Sequence, residues 1–295
     1  MSRFPYETVD VFTDRPFGGN QLAVFTDARG LSDAQMQALA AEMNYSETTF
    51  VLPADDPAND ARVRIFHRTA EMPFAGHPNV GTAYVLARQG GARDGMLRFE
   101  QKAGLVEIGI VHDASKGVTG AVIAAPQALS LGIELPVEGI AACAGLAPSD
   151  LITSAHRPVQ ASVGVKFVLA QTTAAALAGA GPDLAAFRKL EQQHGELQGR
   201  LSLFLYARDG NAIRARMFAP LAGTWEDPAT GSASATLGAL LLSLDGGEEA
   251  SYAITQGVEM GRPSLLKVSS RRTQDGFRSR VGGSCAPMFR GEVEL

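Results

Sequence analysis

PFAGHPNVGTAYVLA, residues 73–87, carries no charged side chain from Val80 to Ala87. A helix that is apolar all the way round cannot lie on a surface, so this one is expected to be enclosed on every side. Its small residues, Gly81, Ala83 and Ala87, let a surrounding wall approach closely. A second stretch has the same character: GSASATLGALLLSL, residues 231–244, is also free of charge and rich in small residues. Set against one another, GHPNVGTAYVLA and GSASATLGALLL are two Gly-led apolar helices, each preceded by a loop and a strand with Phe near its end. The pattern reads as an internal duplication. It predicts an α+β fold of two similar lobes, each a curved mixed β-sheet or barrel wrapped around a central apolar helix.

The flanking segments fit that plan. YETVDVF (6–12) alternates apolar and polar residues as a strand does, a Gly-Gly-Asn turn follows at 18–20, and residues 22–25 return to an apolar run. Ser32 and Asp33 cap a helix through AQMQALAAEM. TTFVL (48–52) is β-branched and aromatic, which puts Glu47 at the mouth of a strand. RVRIFH (62–67) and IRARMF (213–218) are strands, as are residues 96–101 and 105–111. Residues 120–136 read as an Ala/Pro/Gly-rich connector, 141–146 as a helix, 161–170 as one strand and 183–194 as a surface helix. No low-complexity linker divides the chain. The expected lobes are residues 1–117, joined by a C-terminal strand 284–295, and residues 118–283.

The chain has 295 residues, of which 45% are hydrophobic and 19% charged, a globular rather than disordered balance. Its formal net charge is −5 and it has no basic run, which argues against nucleic acid and anionic membrane as partners. The N-terminus lacks a signal-peptide pattern, and no uncharged apolar stretch reaches the roughly 18 residues of a membrane span. Cys143 and Cys285 form neither a CxxC nor a metal spacing, and read as reduced, buried residues of a cytoplasmic protein. There is no HExxH, no Cys/His cluster, no GxGxxG after a strand and no GxxxxGK[ST], so neither a metal nor a nucleotide cofactor is indicated. GSASA is not a GxSxG nucleophile elbow.

What remains is chemistry by side chains. Both apolar helices open with Gly and a polar residue, Gly76-His77 and Gly231-Ser232. The first amides of a helix lack intrahelical partners and the dipole there is positive, so such ends can hold a carboxylate. The same glycines could equally serve only as tight turns into a crowded core. Asp227, in WEDPATG, is either a functional acid or the cap of its turn. His77 is either functional or a satisfied structural histidine. Glu47, after Asn44-Tyr45-Ser46, reads on its own as a charge at a strand mouth.

Six stretches in order resemble the PhzF (phenazine biosynthesis-like) family: VDVFTDRPFGGNQLAVF, MNYSETTFVLP, EMPFAGHPNVGTAYVL, MFAPLAGTWEDPATGSASATLGALL, QGVEMGRPS and VGGSCAPMFRGEVEL. The resemblance covers nearly the whole chain. It implies the diaminopimelate-epimerase-like fold, an active site between the lobes without cofactor or metal, and a homodimer. In the phenazine-pathway members the reaction is isomerisation of trans-2,3-dihydro-3-hydroxyanthranilate. It implies that Glu47 removes a proton from one carbon and returns it to another, and that His77 and Asp227 orient the substrate and handle its protons. Ser46, Gly76, Gly231 and Ser232 are implied to hold the substrate and its carboxylate. Related epimerases and proline racemases place cysteines directly ahead of the two helices, where this chain has Ala75 and Thr230, so racemisation by two thiols is disfavoured. Trp225, next to EDPATG, is expected to shape the pocket.

The expected partner is therefore a small carboxylic acid and the expected activity an isomerase. Burial between the lobes and a carboxylate neighbour such as Asp227 are expected to make Glu47 a stronger base than an exposed glutamate. Another proton-transfer reaction beside a carboxylate (epimerisation or elimination) and a non-catalytic acid-binding protein are the alternatives.

Overall fold

The structure is a computed structural model that describes residues 1–92 and 94–295. These residues divide into two compact units, Met1–Ala124 with Gly282–Leu295, and Ala125–Val281. The last strand, Gly276–Glu294, contributes to both.

The first unit is a closed barrel. Arg3–Val11 runs antiparallel to Asn20–Phe25 on one side and to the C-terminal strand on the other, from Arg3 opposite Glu294 to Val11 opposite Cys285. Asn20–Phe25 lies parallel to Glu47–Leu52, which is antiparallel to Ala61–His67. Ala61–His67 is parallel to Met96–Gln101, and Gly104–Asp113 and Gly117–Ala124 follow antiparallel. Gly117–Ala124 then pairs with the C-terminal strand, which closes the ring.

Parallel neighbours need a crossover, and both crossovers here are helical. Asp33–Met43 passes outside the barrel, started by a reciprocal box in which Ser32 Oγ accepts from Gln35 N and Gln35 Oε1 accepts from Ser32 N. Gly76–Arg88 passes through the middle, against the strands Arg3–Val11, Asn20–Phe25, Glu47–Leu52, Gly104–Asp113 and Gly117–Ala124. Every residue from Gly76 to Val85 is buried, as the missing charge requires.

The second unit repeats the order. Val159–Ser162 and Lys166–Thr172 are antiparallel, and Lys166–Thr172 is parallel to Leu203–Asp209 across the outer helices Ala174–Gly179 and Leu184–Gln193. Leu203–Asp209 is antiparallel to Ala212–Ala219, which is parallel to Glu249–Gln256 across the enclosed helix Gly231–Asp245. Ser264–Thr273 follows antiparallel, and the start of the C-terminal strand lies beside it. Gly246, at φ 77°, ends the enclosed helix, its N–H donating to Leu242 O at 3.1 Å.

Three local expectations are corrected. Residues 120–136 are not only a connector: the strand Gly117–Ala124 runs into them and Ser130–Glu134 forms a further strand. The Gly content that suggested a loop reflects close packing, since a Cβ on Gly120 would sit 2.0 Å from Gly283 O. The expected strand 161–170 is two strands, broken at Gly164 with φ 145°. The helix expected at 141–146 is Val137–Cys143, followed by the left-handed Gly145.

The enclosed helices are fitted at atomic scale. A Cβ on Gly81 would lie 2.6 Å from Leu22 Cδ2 and 2.7 Å from Val11 Cγ2. Alanine favours an isolated helix over glycine by about 1 kcal/mol, yet overpacking a filled core costs about 1–3 kcal/mol. Gly81→Ala is therefore expected to lower the denaturant midpoint rather than raise it, measured by chemical unfolding.

Candidate functional site

Strand and helix geometry put Glu47 against His77. Thr49 faces the enclosed helix of the first unit, its Oγ1 lying 2.8 Å from Thr82 Oγ1. Two residues back on a strand is the same face, about 6.7 Å away. Five residues back on a helix is a comparable rise, about 7.5 Å. His77 is then turned about 140° from Thr82, so the two share a level and not a helix face. Glu47 and His77 occupy those two places, and Glu47 Oε2 lies 3.2 Å from His77 Nδ1. The side chains are 15% and 6% exposed, so the contact is close to dry.

The polarity of this contact follows from the far side of the ring. His77 Nε2 lies 3.3 Å from Gln21 O. A backbone carbonyl only accepts, so Nε2 carries the ring hydrogen of a neutral imidazole. Nδ1 is then bare, an acceptor for a proton whenever the Glu47 carboxyl carries one. Burial pushes the His77 pKa down to about 3, against the smaller opposing effect of the Gln21 carbonyl. The ring is thus neutral near pH 7, a partner that can take and give back a proton.

The start of the helix Gly76–Arg88 has no side-chain cap, because its N-cap is Ala75. Gly76 and His77 are buried and Ser46 is half-buried beside Glu47. The loop into this helix is clamped: Arg64 donates from Nε and Nη2 to Glu71 at 2.8 Å each, with its guanidinium 5.1 Å over the Phe66 ring.

In the second unit the enclosed helix begins at Gly231 with Thr230 as N-cap. Thr230 is a residue type that normally caps, yet it makes no side-chain cap bond. Its hydroxyl is used elsewhere, donating to Asp227 Oδ2 at 2.6 Å. Gly231 is buried and Ser232 half-buried, while Trp225 is 57% exposed. The clamp is repeated: Arg216 donates from Nε and Nη2 to Glu226 at 2.8 Å each and stands 5.0 Å over Phe218.

The repeated clamp aligns the units residue by residue. Arg64, Glu71, Ala75, Gly76 and His77 correspond to Arg216, Glu226, Thr230, Gly231 and Ser232. Both share the spacing Glu-x-Pro-x-x-Gly, the sequence signal that marks Glu71 and Glu226 as equivalents. Asp227 then stands where the first unit has Met72. Glu47 corresponds to Ser202, because Phe50 is opposite Arg64 and Leu205 is opposite Arg216. Of the residues singled out from sequence, the structure groups Glu47, Ser46, Gly76 and His77 in the first unit, and Asp227, Gly231 and Ser232 in the second.

The sequence profile of the phenazine biosynthesis-like proteins matches residues 9–291. The chain belongs to the PhzF family. It is 36% identical over 298 residues to the trans-2,3-dihydro-3-hydroxyanthranilate isomerase of Pseudomonas aeruginosa, covering 98% of this chain and 99% of that one. Among solved structures it resembles a PhzF-family phenazine biosynthesis protein of Bacillus anthracis, with a TM-score of 0.88, 25% identity and full coverage of both chains. It also resembles a predicted epimerase of Pseudomonas aeruginosa, with a TM-score of 0.81, 32% identity and 99% of each chain covered. The fold is α+β of the kind PhzF proteins have, and the chain is a PhzF-type isomerase or epimerase.

Among the described residues no group of three or more His, Cys, Asp or Glu side chains is placed to share a metal ion. Among the same residues no helix is long and apolar enough to cross a membrane. Cys143 and Cys285 are free and buried. Burial pushes each thiol up to about 12, helped at Cys143 by the charge of Asp183. The thiolate is the reactive form. Neither cysteine should react with iodoacetamide at about pH 8 in the native protein, and both should react after denaturation. Mass spectrometry of the labelled chain checks this.

Proposed function

We propose that this protein is a cofactor-independent isomerase that moves a proton between two carbons of a small carboxylic acid, with Glu47 as the group that removes and returns it. The observation that carries the reading is the 3.2 Å contact of Glu47 Oε2 with His77 Nδ1 in a nearly dry setting. A carboxylate that takes a proton from carbon must later give it back. A neutral imidazole whose bare nitrogen faces that carboxylate can share the proton meanwhile, without creating an isolated charge. General acid–base catalysis of this kind contributes about 10²–10⁴-fold.

The two enclosed helices supply the remaining requirement. Their first amides have no side-chain cap, in one case because Ala75 cannot provide one and in the other because the Thr230 hydroxyl is engaged by Asp227. Such ends suit a carboxylate and the negative charge that develops beside it. Gly76 and Ser46 in the first unit and Gly231 and Ser232 in the second are proposed to hold the substrate. Asp227 is proposed to serve the same substrate by orienting it and handling its protons.

The relatives support this substrate class: several at about 35% identity are named trans-2,3-dihydro-3-hydroxyanthranilate isomerases. That compound is the probe to use first. We further propose that the protein works as a cytoplasmic homodimer without a metal. A second reading, epimerisation beside a carboxylate, is favoured by the 32% identical structure named as a predicted epimerase. Product connectivity separates it from isomerisation.

With trans-2,3-dihydro-3-hydroxyanthranilate as substrate, Glu47→Gln is expected to lower kcat by about 10³-fold while KM changes little. Asp227→Asn is expected to lower kcat as well. Full turnover by the Glu47→Gln protein would remove Glu47 from the chemistry.

A further inference from the structure

Behind Asp227 lies a small buried network whose hydrogen-bond directions are fixed by its backbone members. Gln256, at the end of the strand Glu249–Gln256, is fully buried. Its Oε1 accepts from Thr230 N at 3.0 Å, and a backbone N–H can only donate. Its Nε2 donates to Asp227 O at 2.7 Å, and a carbonyl can only accept. The two backbone partners leave one orientation for the Gln256 amide. Nε2 therefore also donates to Thr230 Oγ1, at 3.0 Å. With that lone pair taken, the Thr230 hydroxyl directs its hydrogen to Asp227 Oδ2, at 2.6 Å.

The first unit makes a different use of the same place. Arg62 is opposite Glu100 and Arg214 is opposite Thr255, so Gln101 corresponds to Gln256. Gln101 exchanges hydrogen bonds with Asn79, one turn inside its helix. Only where the preceding loop carries Asp227 is the glutamine turned onto the N-cap residue. Thr230 meanwhile forgoes the capping bond its residue type usually makes.

We propose that Thr230 and Gln256 are positioning residues that hold the Asp227 carboxyl by its Oδ2 and so fix the orientation in which it meets the substrate. This rests on the reading that Asp227 serves the reaction. It assigns a task to the residue standing where related epimerases carry a cysteine: here that position orders an acid instead of being one. It also explains why a buried glutamine, far from Asp227 in sequence, ends on that loop.

The test reads the Asp227 carboxyl itself and needs no substrate. Protein labelled with ¹³C at aspartate carboxyl carbons is titrated by NMR, and the Asp227 signal is identified by its loss in Asp227→Asn. The charged groups around Asp227 in its unit are Glu226 on its own strand and Arg216 on the strand beside it. Glu259 and Arg262 lie on the turn after Gly257, which packs on Pro228. All of these are shared by every variant, so differences report the hydroxyl. Losing a donor to a carboxylate favours its protonated form, so Thr230→Val should raise the Asp227 midpoint by about one pH unit. Thr230→Ser, which restores the hydroxyl, should match the native protein. Thr230→Ala repeats the loss with less demand on packing if the valine variant fails to fold. An unchanged midpoint in Thr230→Val or Thr230→Ala overturns the inference, as does a Thr230→Ser protein that shifts as far as they do. Loss of turnover in Asp227→Asn together with an unmoved midpoint defeats the positioning role and leaves the proposed reaction standing. Full turnover in Asp227→Asn defeats that reading of Asp227 instead.

Discussion

An uncharged helix enclosed by a β-barrel has nowhere to place its unsatisfied backbone amides except the mouth of the barrel. That constraint shapes both units. The helices Gly76–Arg88 and Gly231–Asp245 gain stability by burying apolar surface on all sides, and each presents its first N–H groups at an end where no side chain of the preceding residue covers them. The loops that deliver the chain to those ends must be held, because a slack loop would let them fold over the amides. Bidentate Arg–Glu pairs do this in both units, with the guanidinium lying on a Phe ring two residues along the strand. Arg216 is the more deeply buried of the two and also donates to Leu177 O at 3.2 Å and to Ala180 O. Breaking a buried pair of this sort costs about 3–5 kcal/mol, since it strands a charge.

On this shared scaffold the two units carry different side chains at equivalent positions. The first has Glu47 and His77 where the second has Ser202 and Ser232. The second has Asp227 where the first has Met72, and Thr230 where the first has Ala75.

The architecture was legible in the sequence wherever one physical rule dominated. Absence of charge over residues 80–87 and 231–244 can mean only enclosure, and both helices lie where that rule put them. Ser32 before a run of helix formers marked its cap correctly. Legibility failed where glycine had two meanings: at Gly120 it permits close backbone approach inside a strand, and at Gly164 it makes a turn inside what looked like one strand. The site was less legible than the fold. Glu47 alone reads as an unremarkable charge, and its contact with His77 depends on a register between a strand and a helix that no local pattern states. QGVEMGRPS marked the region of Gln256, but the residue's partners are on a loop 26 and 29 positions away, beyond any spacing rule. Resemblance to the PhzF family pointed to Glu47, His77 and Asp227. The geometry adds the direction of the His77–Gln21 and Thr230–Asp227 hydrogen bonds.

The central claim is that His77 is a neutral ring bearing its hydrogen on Nε2, with Nδ1 turned to Glu47. Nitrogen-15 NMR of histidine-labelled protein, with the His77 signals identified by substitution, measures this directly. The account predicts a protonated Nε2 and an Nδ1 with no hydrogen of its own at neutral pH, in a ring that does not become a free imidazolium as the pH falls through the usual histidine range of about 6.5. A bare Nε2, or a ring that titrates as an ordinary exposed histidine does, would contradict it.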